Sequence, residues 1–208
     1  MSRPRILVAD DHTLILAGTC VLLQTQYEVV GTVSNGRDLI EMALRVHPDI
    51  IIMDITMPGL NGIDAARQIK ERLPAVKLVF LTMHGNPAYV SSALQAGGTG
   101  YVLKSAANED LLLALRSVLD GRMHVSPGIT RSPDCFRDPA RAAESLNLST
   151  REREVLQLIA EGKLAKEIAF ALDVVTRTVN FHRENIKHKL GLHSTAELTR
   201  YAIEQGLI

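Results

Sequence analysis

One aspartate, Asp54, directly follows four apolar residues at 50–53, and a Pro-Gly turn comes soon after it at residues 58–59. A continuous apolar run bounded by turn residues is typical of a strand that is buried on both faces of a sheet. Asp54 is therefore expected where that strand ends, at the rim of the sheet. An aspartate presented in this way can be a metal ligand, a nucleophile or a helix cap, and this segment alone does not choose among the three.

Four further polar residues stand at equivalent positions, at the ends of three other apolar runs. They are Asp10, Asp11, Thr82 and Lys104. Taken singly, each has an ordinary explanation, because carboxylates often cap helices and lysines are usually solvated. Five such residues at equivalent places in one sheet are much harder to explain in that way.

Together these residues could carry out phosphoryl chemistry. Two or three carboxylates on neighbouring strand ends form an oxygen-rich pocket that suits Mg²⁺. An unprotonated aspartate can attack a phosphoryl group and form an acyl phosphate. The metal and a lysine then neutralise the charge on the phosphoryl oxygens. The sequence contains no Gly-rich phosphate loop and no Gly-x-Ser-x-Gly motif that would supply a competing site.

The elements that would position these residues alternate regularly through residues 1–121. The predicted strands are residues 6–9, 28–33, 50–53, 78–81 and 100–103, with helical patterns between them. This alternation predicts an α/β fold with a doubly wound five-stranded parallel sheet and helices on both faces. In such sheets ligands bind beyond the carboxyl ends of the strands, where all five polar residues fall.

The composition of the 208-residue chain adds weaker constraints. Its formal net charge is zero at pH 7, so the bulk charge predicts no partner. Cys20 and Cys135 lie far apart without the spacing of a metal site, which is typical of reduced thiols in a cytoplasmic protein. We expect no signal peptide, no membrane-spanning segment and a cytoplasmic location.

A second region, residues 148–208, is predicted to be a small all-α domain of four helices. A Pro-containing linker at residues 122–147, with a short helix at 139–144, separates it from the α/β domain at residues 1–121. Ser149 with Glu152, and Ser194 with Glu197, have the spacing of capping boxes that open helices. A short helix, a tight turn and a longer helix at 176–190 predict a helix-turn-helix, whose second helix enters the DNA major groove.

The helix at 176–190 has two different faces. Val179, Ile186 and Leu190 recur at helical spacing and should face the core. The opposite face carries Arg177, Asn180, Phe181, Glu184, Lys187 and His188. An ordinary solvated helix would explain the charges alone, but the helix-turn-helix arrangement favours attraction to phosphates. Glu184 would then lie over bases or pair with a neighbour such as Arg177 or His188.

Residues 1–121 resemble the receiver domain of two-component response regulators. The resemblance rests on Val8-Ala9-Asp10-Asp11-His12, on Met53-Asp54-Ile55-Thr56-Met57-Pro58-Gly59-Leu60-Asn61-Gly62, on Leu81-Thr82 and on Tyr101-Val102-Leu103-Lys104. It implies that Asp54 accepts a phosphoryl group from a histidine kinase, and that Asp10, Asp11 and Asp54 hold Mg²⁺ with the backbone carbonyl of Thr56. It also implies that Lys104 pairs with the phosphoryl group and that Thr82 and Tyr101 form a switch. Ser105 departs from the proline that many receivers have after the lysine.

Residues 148–208 resemble the LuxR-type helix-turn-helix of the NarL/FixJ family. The matching segments are Leu148-Ser149-Thr150-Arg151-Glu152-Arg153-Glu154-Val155-Leu156, Lys166-Glu167-Ile168-Ala169, Thr178-Val179 with His182, and Lys189-Leu190-Gly191. The resemblance adds Lys166, Thr176 and Thr178 to the expected DNA-binding residues. Leu164-Ala165 replaces a small polar pair that is common before the lysine, and Glu184 stands where many relatives carry a basic or neutral residue.

These observations lead to the prediction of a phosphorylation-controlled transcription factor that is not an enzyme. Its expected partners are double-stranded DNA, a cognate sensor histidine kinase and, in the active form, a second copy of the chain. One alternative is a Mg²⁺-dependent phosphatase of the haloacid-dehalogenase type, which also uses an aspartate nucleophile. The other is a receiver-based interaction module without DNA binding.

Overall fold

A computed structural model describes residues 3–106, 108–129, 148–205 and 207–208. The chain divides into two compact units, an α/β unit and a helical unit. Cys135 and the short helix predicted at 139–144 lie outside the described residues. Within the described ranges, no helix combines the length and the apolar character that crossing a membrane requires.

The α/β unit is built on one parallel sheet of six strands in the order β2-β1-β3-β4-β5-β6. The strands are β1 (Arg5–Ala9), β2 (Glu28–Val33), β3 (Ile50–Met53), β4 (Lys77–Thr82), β5 (Gly100–Leu103) and β6 (His124–Val125). The central strands β1, β3 and β4 are almost wholly buried, as their apolar runs predict. The predicted fold class is confirmed, with one strand more than expected.

The extra strand, β6, lies in the segment that was expected to be linker. It is only two residues long and pairs with Gly100 and Tyr101 of β5. Two residues cannot show the period-2 alternation by which a strand is detected in a sequence. The pairing is therefore a tertiary feature that supplies an otherwise open edge of β5 with hydrogen bonds.

Five helices connect the strands of the α/β unit. They are α1 (Thr13–Leu23), α2 (Gly36–Val46), α3 (Gly62–Arg72), α4 (Pro87–Gln95) and α5 (Asn108–Leu119). The start of α3 lies against the Asp54 segment because Gly62 has no side chain: a Cβ atom there would lie 2.0 Å from the Asp54 carbonyl oxygen. The Asn61 side chain caps this helix by accepting from the Asp64 N–H, so the turn after Asp54 is fixed at both ends.

The helical unit contains α6 (Thr150–Ala160), α7 (Ala165–Ala171), α8 (Thr176–Leu190) and α9 (Thr195–Glu204) among the described residues from 148 onward. Both predicted capping boxes, at Ser149 and Ser194, are formed. Gly191 ends α8 in the left-handed conformation with φ 65°, which glycine adopts at little cost. The core of this unit includes Val155, Leu156, Ile168, Val179, Ile186 and Leu198.

Candidate functional site

Asp10, Asp54 and Lys104 meet in a buried cluster at the carboxyl edge of the sheet. The Lys104 Nζ atom lies 2.8 Å from Asp10 Oδ2 and 2.7 Å from Asp54 Oδ2. Each of the two carboxylate residues is only 3% exposed. One ammonium group thus bridges two carboxylates that water scarcely reaches, which makes the removal of one partner costly.

The backbone holds these three side chains at adjacent strand ends. The Asp54 N–H donates to the Ala9 carbonyl at 2.9 Å, and the Lys104 N–H donates to the Thr82 carbonyl at 2.8 Å. The Ile55 N–H also donates to Asp54 Oδ1 at 2.6 Å. The orientation of the Asp54 carboxylate is therefore set by a backbone donor on one oxygen and by Lys104 on the other.

Burial shapes the protonation of this cluster. It raises the pKa of Asp10, and the hydrogen bond from Lys104 and that from the His12 N–H offset only part of this effect. Burial alone would lower the pKa of Lys104, but the hydrogen bonds to Asp10 and Asp54 outweigh it and raise the pKa above its usual value. Lys104 therefore stays cationic throughout the physiological range.

The cluster has the donor set that a hard divalent cation requires. Asp10, Asp11, His12 and Asp54 each offer a ligand atom, and these atoms all lie within 4.8 Å of one another. Asp11 is exposed beside the two buried carboxylates, so the oxygen donors open toward solvent on one side. Three carboxylates at such spacing fit Mg²⁺, which prefers oxygen ligands and keeps several waters.

Thr82 and Tyr101 lie beside this cluster and are fully buried. The Thr82 hydroxyl accepts from the His84 N–H at 3.4 Å, and the Tyr101 hydroxyl donates to the His84 carbonyl at 2.7 Å. Burial raises the pKa of Tyr101, so its hydroxyl remains a donor. The ring of Tyr101 points inward, and both predicted switch residues contact the same short segment after β4.

His84 was not predicted from the sequence. Its Nε2 atom lies 2.9 Å from the Thr56 hydroxyl, and its ring stacks on Tyr89 of α4 with centroids 4.2 Å apart. His84 thus joins Thr56, two residues after Asp54, to α4. The only signal in the sequence is its place two residues after Thr82, and a lone histidine beyond a strand is too common to be singled out.

In the helical unit, α8 presents the expected residues on its outer face. Arg177, Asn180, Phe181, Glu184 and His188 are exposed, whereas Thr176, Thr178 and Lys187 are half-buried. Lys166, on the preceding helix α7, is exposed as well. Val179 and Ile186 face the core as predicted, and Leu190 is half-buried against it. The short α7, the turn at 172–175 and the long α8 form the predicted helix-turn-helix.

The neighbour of Glu184 differs from the expectation. Its Oε1 atom accepts from Lys187 Nζ at 3.1 Å, whereas Glu184 was expected to lie over bases or to pair with a neighbour such as Arg177 or His188. Residues three apart lie next to each other on a helix, so Lys187 is a nearer partner than Arg177, which is seven residues away. This ion pair is solvent-exposed on the Glu184 side and can open readily.

Comparison with known families accounts for both units. Residues 6–116 match the response regulator receiver domain, and residues 146–202 match the luxR family of bacterial regulatory proteins. The chain is a response regulator of the NarL/FixJ family. Response regulators of this type are transcription regulators that combine a receiver domain with a LuxR-type DNA-binding domain.

Relatives of this response regulator match it over nearly its full length. The transcriptional regulatory protein MctR of Rhizobium johnstonii is 36% identical over 98% of this chain and 95% of that protein. The oxygen regulatory protein NreC of Staphylococcus aureus is 37% identical over 98% of this chain and 99% of that protein. RcsB of Salmonella enterica serovar Typhimurium, solved bound to a promoter in the presence of phosphomimetic BeF₃⁻, is 30% identical with a TM-score of 0.63, covering 96% of this chain and 98% of that one.

Proposed function

We propose that Asp54 of this response regulator accepts a phosphoryl group from a sensor histidine kinase. The observation that carries the proposal is the buried Lys104 ammonium between Asp54 and Asp10, beside the exposed Asp11. An oxygen of the Asp54 carboxylate attacks phosphorus, the bond from phosphorus to the kinase imidazole nitrogen breaks, and the electron pair stays on that nitrogen. Lys104 then exchanges its bond to Asp54 for one to a phosphoryl oxygen.

Mg²⁺ is the cofactor that we assign to this site. Asp10, Asp11 and Asp54 would hold it together with the backbone carbonyl of Thr56, and it would neutralise charge on the phosphoryl oxygens. The backbone N–H groups of His12 and Ile55 donate to Asp10 and Asp54 and orient these carboxylates independently of any ligand. Their preorganisation lowers the cost of bringing three negative groups and a phosphoryl group together.

Intact-mass spectrometry tests the assignment of Asp54. Wild-type protein incubated with Mg²⁺ and a small phosphodonor should gain one phosphoryl group, and Asp54→Ala should gain none. Asp120→Asn is a matched control because Asp120 is an exposed carboxylate paired only with Arg122 among the contacts described. Equal labelling of wild type and Asp54→Ala would refute the assignment.

We infer that Thr82 and Tyr101 transmit the modification to the surface. Both contact the segment at His84, so a movement of the Thr82 hydroxyl toward a phosphoryl group frees space next to the Tyr101 ring. A switch of this kind needs two discrete arrangements that the modification biases. The buried position of both side chains supports the proposal, because a packed core favours discrete states over gradual ones.

We assign DNA reading to α8, with Lys166 of α7 contacting the backbone. Asn180 has the amide that suits adenine, and Glu184 can accept from a cytosine amino group once its bond to Lys187 opens. Arg177, Lys187 and His188 would contact phosphates with Thr176 and Thr178, and Phe181 would touch a thymine methyl group. The active species would be a homodimer on two half-sites, acting in the cytoplasm.

The domain limits also remain proposals. We place the receiver at 1–121, the linker at 122–147 and the DNA-binding domain at 148–208. The pairing of β6 with β5 attaches the first residues of the linker segment to the receiver sheet. A limited proteolysis experiment that cuts between the domains should therefore leave residues 124–125 on the receiver fragment.

The phosphatase alternative has weaker support. Its nucleophile motif has a second aspartate two residues after the first, and Thr56 stands there, with its hydroxyl on His84. A module without DNA binding would leave the exposed face of α8 without a role. Binding of genomic DNA fragments separates a transcription factor from both alternatives, because only a transcription factor should retain specific fragments.

A further inference from the structure

His12 lies against the carboxylates that we assign to the metal site. Its Nδ1 atom is 2.8 Å from Asp11 Oδ1 and 3.4 Å from Asp10 Oδ1. Its ligand atom belongs to the group of four that lie within 4.8 Å of one another, with those of Asp10, Asp11 and Asp54. The imidazole is thus close enough to the oxygen donors to share one ion with them.

The position of this ring follows from the backbone. His12 precedes the first residue of α1 in an extended conformation, and its N–H donates to Asp10 Oδ1 at 2.9 Å. Its side chain makes no capping hydrogen bond to α1, so helix capping does not account for its orientation. The side chain is 62% exposed, which leaves the ring room to adjust to an ion on the solvent side of the carboxylates.

A nitrogen donor changes the preference of such a site. Three carboxylates alone suit Mg²⁺, which gains little from imidazole. Transition metals such as Ni²⁺ and Zn²⁺ bind imidazole well and depend much less than Mg²⁺ on oxygen ligands. We propose that His12 is a direct metal ligand that gives this receiver a selective affinity for a divalent transition metal over Mg²⁺. This inference rests on the metal site of the proposed function and deepens it.

The test compares Ni²⁺ and Mg²⁺ binding by untagged full-length protein, measured by calorimetry. His12→Ala should weaken Ni²⁺ binding by about tenfold or more, the scale on which metal sites respond to loss of a histidine's support. Mg²⁺ binding should change by less than about twofold, since Mg²⁺ is held by oxygen. His12→Asn, which suits the position before a helix, repeats the measurement if the alanine variant is unstable.

X-ray absorption at the nickel edge gives the second readout. The wild-type protein loaded with one equivalent of Ni²⁺ should show the outer-shell scattering of one imidazole, and His12→Ala should lack it. His47→Asn controls for histidines elsewhere, because His47 is exposed and in the left-handed conformation that asparagine tolerates. This control should behave as wild type in both measurements.

The outcomes separate the two proposals. Asp11→Asn should weaken the binding of both ions. If it weakens the binding of neither ion, the metal site of the proposed function is wrong. A second outcome is that Asp11→Asn weakens the binding of both ions, while His12→Ala lowers the affinities for Ni²⁺ and Mg²⁺ equally or leaves both unchanged. In that case the metal site stands and the role of His12 is refuted. Absence of imidazole scattering in the wild-type protein would refute it as well.

Discussion

At the scale of single residues, Lys104 is the centre of the receiver site. It is one buried cation between two buried carboxylates, and its pKa is raised by them. The pKa of Asp10 is also raised, but by burial, which disfavours the charged form of this carboxylate. The stability of the receiver therefore depends on Lys104 wherever both carboxylates are ionised.

Replacing Lys104 by methionine should destabilise the protein by about 3–5 kcal/mol at pH 7 without added metal, because two buried charges lose their counter-ion. The sign of the pH dependence follows from Asp10, whose pKa is raised by burial. A folded-state pKa raised above the unfolded value means that the protonated form is preferred in the folded state, so the penalty should shrink as the pH falls. Urea unfolding at pH 7 and pH 5 measures both effects. An equal loss at both pH values would contradict this account.

Thr82 tests the coupling between site and surface. Thr82→Ala should still be phosphorylated by a small phosphodonor, since its hydroxyl contacts His84 and not a carboxylate in the contacts described. The variant should lose the phosphorylation-dependent change in dimerisation or DNA binding. Thr82→Ser, which keeps the hydroxyl, is the matched control. A normal response from Thr82→Ala would exclude Thr82 as the relay.

At the scale of elements, the helical unit depends on an ion pair between α6 and α8. Glu152 caps α6, and its carboxylate accepts from Lys189 at 2.7 Å. Burial raises the pKa of Glu152, but the hydrogen bonds from Lys189 and Ser149 outweigh it and lower the pKa below its usual 4.5. A lowered folded-state pKa contributes stability above the unfolded pKa that is lost as the pH falls through the folded value.

Glu152→Gln should therefore lower the melting temperature at pH 7 and have a smaller effect at an acidic pH, because the wild-type carboxylate loses its charge as the pH falls. Thermal unfolding followed by circular dichroism at both pH values provides the measurement. Glu184→Gln, which removes only the exposed ion pair with Lys187 among the contacts described, serves as a control. If the two pH values gave the same difference, the Glu152–Lys189 pair would not contribute as described.

Residues of α8 should contribute to DNA binding in two ways, some independently of the sequence and some at single base pairs. Lys187→Ala should weaken binding to all DNA sequences alike and reduce the slope of the salt dependence by about one. Asn180→Ala should cost roughly 1–3 kcal/mol on the best site only and relax the preference at one base pair. In vitro selection of bound sequences distinguishes these effects. An unchanged motif from both Asn180→Ala and Glu184→Ala would show that α8 is not the reading helix.

Strong local patterns account for what the sequence could predict at this scale. The isoleucine run of β3 and the capping boxes at Ser149 and Ser194 act within a few residues, and they are found as expected. The two-residue β6 and the contacts of His84 arise from pairing between distant segments, which leave no periodic signal. The Glu184–Lys187 pair was open to prediction from helical spacing, but the neighbours expected for Glu184 were bases, Arg177 or His188 and not Lys187.

At the scale of the whole molecule, the active protein should be a dimer. In α9, Leu198 is fully buried in the core, whereas Ile203 is 54% exposed. In the receiver, Leu14 of α1 is 83% exposed on a helix that carries no charged residue. Exposed apolar side chains on such helices are candidates for contact with a second copy.

Light scattering of phosphorylated protein on a short operator should show two chains per DNA duplex. If Leu14→Glu reduces the complex to a single chain, the interface lies in the receiver. If Ile203→Glu does so, the interface lies in the DNA-binding domain. Met123→Glu, an exposed apolar position that lies in neither of these helices, is the control. A strictly one-to-one wild-type complex would contradict the dimer.

Phosphorylation of Asp54 should control binding to DNA. Fluorescence anisotropy on a selected operator, with and without a small phosphodonor and Mg²⁺, tests it most directly for wild type and Asp54→Ala. We predict that the phosphodonor changes the affinity of the wild-type protein and leaves that of Asp54→Ala unchanged. An equal response of both proteins, or no response of a wild-type protein shown by mass to be phosphorylated, would contradict the account.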